Sequence, residues 1–543
     1  MVFARRSTTL LAAIIASCAM VLSLTACTSD NKTVVDGQTT VTSNSAGGVA
    51  VFTPSDGITL NQQVPLNKWA KLVPDLTKAL VDAGFKKGDI DHTTSDSLDK
   101  QSRAIQDFVV DHLSNNTTDD SGIAIAPDNM TLLVAPVVEA DASTRQYGDY
   151  ISQNLSTNDA TDEGATSDGE SSEDDSSKDD SSNTESDSTA SDEQAQAVDR
   201  LVSSLKLAKE SGMHVVLLGN SIEGYKPDAF VKFSDAQTIG KLQAEKMVSK
   251  LKLDKASKDN PKYIEVLLPY TAVDEKGNAN DSTFAQEAFR GIWQVLGSYY
   301  QKGVVESPSG TLDGKSTEND WQAVAYDAAK EGSTAKVLDK RLAKTDGQST
   351  LTRIDGIITM NDYIASEVVK ELDDLGYTGS AADINPQITI SGIVGNITGK
   401  KDLSRDAVPD PIKSPENDNA NDSSSSDDDA DEDTSASDKD RDSQWPLVTG
   451  YGAYVSNIPS IVNGKQWMTG MEDRQTIATD IAQACAKLNK DEALNSMPSI
   501  RNSEVGGVKK IPTISEPLLA VSASNLKSAL IDPGYISLAD AGL

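Results

Sequence analysis

Short apolar runs alternate with amphipathic stretches along the first half of the chain. Three runs have the length and composition of buried strands: residues 49–52, 132–135 and 215–218. Residues 69–81 carry apolar side chains at helical spacing and are followed by Gly84, a typical helix terminator, and a second helix is predicted over 201–210. This order predicts strands of a parallel sheet joined by covering helices.

The second half of the chain repeats this pattern. Strands are predicted at residues 263–268, 356–359, 388–390 and 447–449. Helices are predicted at 284–296 and 364–372. Because the alternation occurs twice in 543 residues, the sequence predicts an α/β protein with two lobes, each built on a parallel sheet.

The residues that follow the predicted strands indicate the kind of site. Ligands bind at the carboxyl ends of strands in open parallel sheets. The corresponding segments carry amide, hydroxyl, carboxylate and aromatic groups: 53–56, 219–221, 269–283, 361–362 and 450–452. The sequence contains no phosphate-binding loop, no dinucleotide fingerprint after a strand and no Gly-x-Ser-x-Gly elbow. We therefore expect a binding site for a polyhydroxylated ligand, without a cofactor, in a protein that is not an enzyme.

Two acidic segments carry most of the formal charge of −34. Residues 159–193 contain 14 acidic residues and one lysine, and residues 402–442 contain 15 acidic and 4 basic residues. Both segments are poor in apolar side chains and therefore predict disordered insertions, at about 157–195 and about 402–443. The remainder is mildly acidic, which disfavours nucleic-acid binding.

The N-terminus has the pattern of a lipoprotein signal peptide. Arg5 and Arg6 precede an apolar run over 10–24, and two small residues, Thr25 and Ala26, precede Cys27. We therefore predict cleavage after residue 26, lipidation of Cys27 and a polar tether over 27–47. The protein would then be anchored at the outer face of the cell membrane, in an envelope of the Gram-positive type.

The remaining cysteine and the histidines suggest no further chemistry. Cys18 lies in the predicted signal peptide, so Cys485 is the one thiol left after lipidation of Cys27, and core packing is the favoured role for it. The histidines His92, His112 and His214 show no metal-ligand spacing. We expect no metal site.

Several segments in order resemble the type I periplasmic-binding-protein family, closest to its xylose- and multiple-sugar-binding branch. Lys68 and Trp69 followed by a helix resemble the opening of the first helix of that branch. The segment 358–362, a strand followed by Asn361 and Asp362, resembles its ligand-binding Asn-Asp element. Residues 230–235 and 461–469 resemble strands near the crossings between lobes, and 519–526 with 533–535 resembles the C-terminal strand and tail.

The resemblance implies two lobes joined by a three-stranded hinge, closing on a sugar. It implies an N-terminal lobe over 48–234, a C-terminal lobe over 235–469, and a return to the N-terminal lobe with a C-terminal tail over 470–543. It also implies three partners: a sugar, an ABC permease membrane subunit and a separate ATPase. Lys68, Trp69, Asn361 and a stacking Trp321 match the ligand-binding positions of the branch, although Asn361 could also simply cap the next helix.

Three further candidate ligand-binding residues stand where the sequence departs from the branch. Asn220 follows a strand where the branch has an Asp-Arg pair, Tyr451 lies beside Gly452 where the branch has aspartate, and Glu472 replaces a lysine. The charged groups that grip a monosaccharide are thus mostly absent. This leaves open a sensory or interaction lipoprotein with an altered or lost sugar site. Asp56, Asp362 and Glu472 show no fixed pair at glycosidase spacing, which disfavours an enzyme.

Overall fold

The computed structural model describes residues 46–55, 65–115, 125–138, 144–156, 185–273, 280–343, 350–382 and 444–543. Several predicted features lie outside these residues: the signal peptide 1–26, Cys27, most of the tether 27–47, Asp56, most of the insertion at about 157–195, the strand at 388–390 and all of the insertion at about 402–443.

Seventeen strands are formed within the described residues. In chain order they are β1 Gly48–Pro54, β2 Ile90–Ser95, β3 Met130–Val134, β4 Asn154–Leu155, β5 His214–Leu218, β6 Ser221–Ile222, β7 Ala229–Val231, β8 Lys262–Val266, β9 Leu268–Pro269, β10 Val305–Glu306, β11 Ala325–Tyr326, β12 Gly356–Ile358, β13 Leu447–Tyr451, β14 Met468–Met471, β15 Ile500–Val505, β16 Val508–Ile514 and β17 Leu519–Ser522.

The strands form two large sheets. The first has the order β15-β16-β7-β5-β3-β1-β2 and the second the order β10-β8-β12-β13-β14-β17. All neighbours are parallel except β15 with β16 and β14 with β17. Two short parallel pairs, β4 with β6 and β9 with β11, lie apart from them. The predicted α/β class with two parallel-dominated sheets is confirmed.

Ten α-helices connect the strands in the described part of the chain. They are α1 Trp69–Asp82, α2 Leu98–Asn115, α3 Glu185–Glu210, α4 Ala236–Lys250, α5 Thr283–Gln301, α6 Trp321–Val324, α7 Ser333–Arg341, α8 Asp362–Leu375, α9 Ile458–Val462 and α10 Arg474–Leu488. The helix predicted over 201–210 is only the end of α3, so the insertion predicted to run to about 195 overlaps this helix.

The chain crosses between the two sheets three times, at residues 232–235, 472–473 and 515–518. We call the part built on the first sheet the first lobe, and the part built on the second sheet the second lobe. β15 and β16 join the first sheet, whereas β17 pairs with β14 in the second. The segment 470–543, predicted to return to the N-terminal lobe and end in a tail, is therefore divided between the lobes.

The central strands of each sheet are buried on both faces, and successive side chains along them face opposite cores. In β1, Val49 and Val51 face a core shared with α1 and α10, which includes the free thiol of Cys485. Ala50 and Phe52 face the opposite core, which includes residues of α2 and α3. Gly84, with φ of 102°, follows the last turn of α1 in the left-handed region, where glycine is favoured.

Two glycines let α4 and α5 pack against each other at very short range on the second lobe. A Cβ atom on Gly240 of α4 would lie 2.2 Å from the carbonyl oxygen of Ala288, and one on Gly291 of α5 would lie 2.0 Å from that of Gln237. Real Cβ atoms do not approach backbone so closely. The two helices therefore meet backbone to backbone, and both contribute residues to the cavity described below.

Candidate functional site

One segment of the chain lies between the two lobes at the predicted ligand-binding position. It comprises residues 144–155, which we call the interlobe strap, and it precedes α3 in the chain. It ends in β4, which pairs with β6 beside the first sheet. The backbone nitrogen of Asp149 donates a hydrogen bond of 2.8 Å to the carbonyl oxygen of Asn67, immediately ahead of α1.

Lys68 is bound by the strap. Its Nζ donates to Oδ1 of Asp149 at 2.7 Å, and the two side chains are 14% and 20% exposed. The other carboxylate oxygen of Asp149 accepts from the backbone nitrogen of Trp69 at 3.1 Å. Tyr150 donates its hydroxyl hydrogen to the carbonyl oxygen of Lys68. The positive charge predicted to meet a ligand is therefore neutralised by the chain itself.

Trp69 lies in the core of the first lobe. Its ring meets Tyr150 edge-on at 5.0 Å and Phe233 edge-on at 5.7 Å between centroids, and the residue is 3% exposed. Tyr150 in turn stacks on Phe233 at 4.7 Å. With its ring enclosed in this way, Trp69 has no face open to stack on a sugar in this structure.

Asn361 is bound by the strap from the second lobe. Its Oδ1 accepts from the backbone nitrogen of Ile364 at 2.9 Å and so caps α8, while its Nδ2 donates to Oε1 of Gln146 at 3.0 Å. Tyr454 donates its hydroxyl hydrogen to the carbonyl oxygen of Gln146 at 2.6 Å. Capping and binding of a polar group thus coexist at Asn361, and the group it binds belongs to the same chain.

Tyr451 is fully buried beneath the strap. Its ring lies 6.2 Å from that of Tyr147, which also packs against Phe284 at 4.6 Å. Its hydroxyl is 2.6 Å from Oγ of Ser234 and accepts from Nδ2 of Asn67 at 3.1 Å. Tyr451 is therefore a structural link between the second lobe, the first crossing and the start of α1.

Glu472 lies on the second crossing and is 1% exposed. Its Oε1 accepts from the backbone nitrogen of Ser234 at 2.7 Å and from the hydroxyl of that serine, so it ties the first crossing to the second. Burial raises the pKa of Glu472 to about 7, against the opposing effect of the hydrogen bonds from Ser234. Near neutral pH this carboxyl therefore changes charge at a junction of the lobes.

Asn220 and Trp321 occupy different positions from the residues above. Asn220 is buried and holds the end of the strap, accepting from the backbone nitrogen of Gln153 at 2.9 Å and donating to the carbonyl oxygen of Pro136 at 2.9 Å. Trp321 is partly buried and meets the ring of Tyr270 edge-on at 5.1 Å. The ring of Trp321 therefore packs against another aromatic side chain of the second lobe.

A cavity of about 690 Å³, which we call the outer cavity, lies beside the strap. Its walls come from the strap, from the first crossing with the start of α4, and from α5 with the residues before it: Thr144, Ile151, Ser152, Gln153, Asn154, Asp235, Ala236, Gln237, Asn280, Asp281, Thr283, Phe284 and Glu287. Most of these side chains are amides, carboxylates or hydroxyls, and one is aromatic.

Hydrogen bonds favour the charged form of two carboxylates of this cavity, Asp235 and Asp281. Burial opposes ionisation of Asp235, but hydrogen bonds from Thr238 and Lys232 outweigh it and lower its pKa. Hydrogen bonds from the hydroxyl and backbone nitrogen of Thr283 lower the pKa of Asp281. Glu287 is paired with Arg290. The cavity therefore offers anionic acceptors beside neutral amides, which suits a ligand rich in hydroxyl or amino groups.

The strap was missed in the sequence because its segment has no helical or strand periodicity. Its partners are also distant in sequence: Asn361 lies 215 residues from Gln146, and Tyr454 lies 308 residues from it. A local signal does exist in the sequence. Two aromatic residues, Tyr147 and Tyr150, lie close together shortly before the polar, acidic insertion.

No helix in the described ranges is long and apolar enough to cross a membrane. No group of three or more His, Cys, Asp or Glu side chains in those ranges could hold a metal ion.

No protein-family model matches the chain, and no curated protein sequence matches it. Several solved structures are similar to it. An ABC transporter solute-binding protein from Clostridium phytofermentans with bound β-D-glucose is 17% identical, with a TM-score of 0.43 over 91% of this chain and 99% of that one. A carbohydrate transporter solute-binding protein from Chloroflexus aurantiacus in complex with D-glucose is 17% identical, with a TM-score of 0.42 over 91% and 98%. A periplasmic ribose ABC transporter from Conexibacter woesei is 12% identical, with a TM-score of 0.41 over 90% and 96%.

Proposed function

We propose that this protein is an extracytoplasmic solute-binding lipoprotein that takes a carbohydrate between its two lobes and delivers it to an ABC permease. The cavity of about 690 Å³ carries this proposal. Its volume lies within the range of small-molecule sites, and its walls come from the strap, the first crossing and the second lobe. Amides, hydroxyls and carboxylates beside the ring of Phe284 match the hydroxyls and the apolar face of a sugar.

The rest of the proposal follows from the N-terminal sequence. Lipidation of Cys27 would hold the two lobes at the outer face of the membrane, next to a permease subunit. A separate ATPase on the inner side would supply the energy of transport. An anchor of this kind suits a cell without an outer membrane, from which an unanchored receptor would diffuse away.

Binding is tested with the mature full-length protein by isothermal titration against mono- and oligosaccharides. We expect saturable binding of at least one carbohydrate. Gln237→Ala, which removes an amide from the cavity wall, should weaken it, whereas Gln301→Ala should not, because Gln301 is an exposed residue at the end of the same helix pair. Absence of binding by every sugar, or equal affinity of Gln237→Ala and the wild type, would contradict the proposal.

A second candidate function is a sensory or interaction lipoprotein with the same fold. The observation that favours it is that Lys68 and Asn361 already have partners within the chain. Deleting the gene and measuring uptake of the bound sugar separates the two functions. Lost uptake supports transport, whereas unchanged uptake with altered sugar-dependent gene expression supports sensing.

A further inference from the structure

We propose that the interlobe strap is a built-in ligand of the inner cleft, which keeps the two lobes closed in the absence of any solute. The inner cleft is the space lined by Lys68, Trp69, Asn361 and Tyr451. This inference goes beyond the proposed function, because it concerns lobe closure and not the identity of the solute. It rests on how the strap bridges the lobes, how deeply it is buried and what chemistry it offers.

The strap binds both lobes through separate groups. On the first lobe, Asp149 binds Lys68 and the backbone of Trp69, and Tyr150 packs against Trp69. On the second lobe, Gln146 accepts from Asn361 and from Tyr454. These contacts to both lobes come from only five consecutive residues, 146–150. Opening the lobes would therefore break one set of contacts or the other.

The strap is packed like protein core. Tyr147 and Tyr150 are each 1% exposed. Gly148 lies between them with φ of 101°, and a Cβ atom there would lie 2.5 Å from the carbonyl oxygen of Asn67. Only glycine combines that backbone conformation with so close an approach. A fit of this kind is typical of a permanent structural contact and not of a segment resting on a surface.

The strap also offers the chemistry that a solute would have to offer. Its carboxylate meets the ammonium group of Lys68, and its side-chain amide meets the amide of Asn361. Withdrawing the strap would leave a partly buried charge and a buried amide without these partners, and such groups are costly to leave unsatisfied. A solute shifts a closure equilibrium only by its differential affinity for the two states. Closure already supported by the strap is therefore independent of solute.

Closure is tested by measuring the distance between spin labels on the two lobes of the mature full-length protein. Lys78 on α1 and Lys330 on the second lobe have side chains that are 80% and 81% exposed, so Lys78→Cys and Lys330→Cys provide the labelling sites. Cys485 is buried, and the protein without introduced cysteines sets the background. Without solute we expect one narrow distance distribution that added carbohydrate does not shorten. A broad distribution that narrows only with solute would overturn the proposal.

Variants then test whether the strap is the cause. Gln146→Ala with Asp149→Ala removes one side-chain contact to the second lobe and two to the first, and should give a longer, broader distribution. Gln301→Ala with Asp107→Ala makes the same changes at exposed helix positions and should leave it unchanged. Gln146→Ala alone, which retains all buried aromatic groups, should broaden it partially. Variants that fold cooperatively and keep the wild-type distribution would overturn the proposal.

Failure of this inference is distinguishable from failure of the proposed function. A narrow solute-free distribution in a protein that binds no carbohydrate supports the strap and contradicts the carbohydrate proposal. A solute-dependent distribution in a protein that binds a sugar does the reverse.

Discussion

The inner cleft and the outer cavity are lined by different residues of the same strap, and they are built differently. The inner cleft is filled by Tyr147 and Tyr150, and its polar groups are paired within the chain. The outer cavity is open, about 690 Å³ in volume, and lined mainly by polar side chains. The inner region therefore stabilises the arrangement of the lobes, and the outer one is where we propose that a solute binds. Mutations on the two sides should have opposite consequences for stability and binding.

The largest expected effect is at Tyr147, on the inner side. Tyr147→Ala should lower the free energy of unfolding by about 3–5 kcal/mol, because it removes a fully buried aromatic ring between the lobes. Tyr299→Ala is the control, since Tyr299 is only partly buried and should cost about 1 kcal/mol. Urea unfolding followed by circular dichroism measures both. Equal losses would mean that the strap is not part of the core.

Glu472 should make stability depend on pH. The pKa of Glu472 is raised from 4.5 to about 7 in the folded protein, so between these values the folded state holds a proton that the unfolded state has released. Its contribution to stability is present at pH 4 and falls as the pH rises towards 7. Glu472→Gln keeps the neutral form at every pH.

Urea unfolding from pH 4 to 8 measures this dependence. The stability of Glu472→Gln relative to wild type should rise by about 3 kcal/mol over that range. Burial also raises the pKa of Asp362, to about 6, but that group is common to both proteins and cancels in the difference. A constant difference between the two proteins would show that the pKa of Glu472 is the same in the folded and unfolded states.

Gly148 should be less tolerant of substitution than an open glycine with a similar backbone. Gly148→Ala should cost about 1–3 kcal/mol in backbone strain and more from the contact with Asn67. Gly376→Ala is matched, because Gly376 has φ of 94° but nothing lies within 4 Å of a Cβ atom there. The difference between their melting temperatures measures the contact alone. No difference would argue against close packing of the strap on the first lobe.

The smallest expected effect on stability is at Gln153, which belongs to the strap but lines the outer cavity. Gln153→Ala should change the free energy of unfolding by less than about 0.5 kcal/mol. The loss of one neutral hydrogen bond should nevertheless weaken solute binding, by up to roughly tenfold. Thermal melting and isothermal titration of the same sample check both values. A large loss of stability with unchanged affinity would reverse the roles assigned to the two sides.

The sequence predicted the elements whose signal is local. The start of α1 at Trp69 and its end before Gly84 follow from helical spacing and a terminator. The strands β1, β3, β5 and β12 follow from short apolar runs buried on both faces. Local patterns could not predict that β15 and β16 join the first sheet whereas β17 joins the second. β17 pairs with β14 through the fold and has no local signal for its sheet.

The candidate site was predicted in its positions but not in its partners. Lys68, Trp69, Asn361 and Tyr451 all contact the strap or the residues beneath it. The partner of each is set by how residues 144–155 pack in three dimensions, and no periodicity within that segment records its path. The departures at Asn220 and Glu472 are informative in retrospect, because both residues bind the chain itself: Asn220 the strap and Glu472 the first crossing.

The close contact of α4 and α5 has a consequence for affinity. Gln237 of α4 and Glu287 of α5 both face the cavity, and Gly240 and Gly291 fix the spacing of their helices through direct backbone contact. Two walls held in this way form a single rigid plate. A solute that binds against a preorganised plate loses less conformational entropy than one that must order its site. Enlarging either glycine would therefore separate the walls and weaken binding without touching the solute.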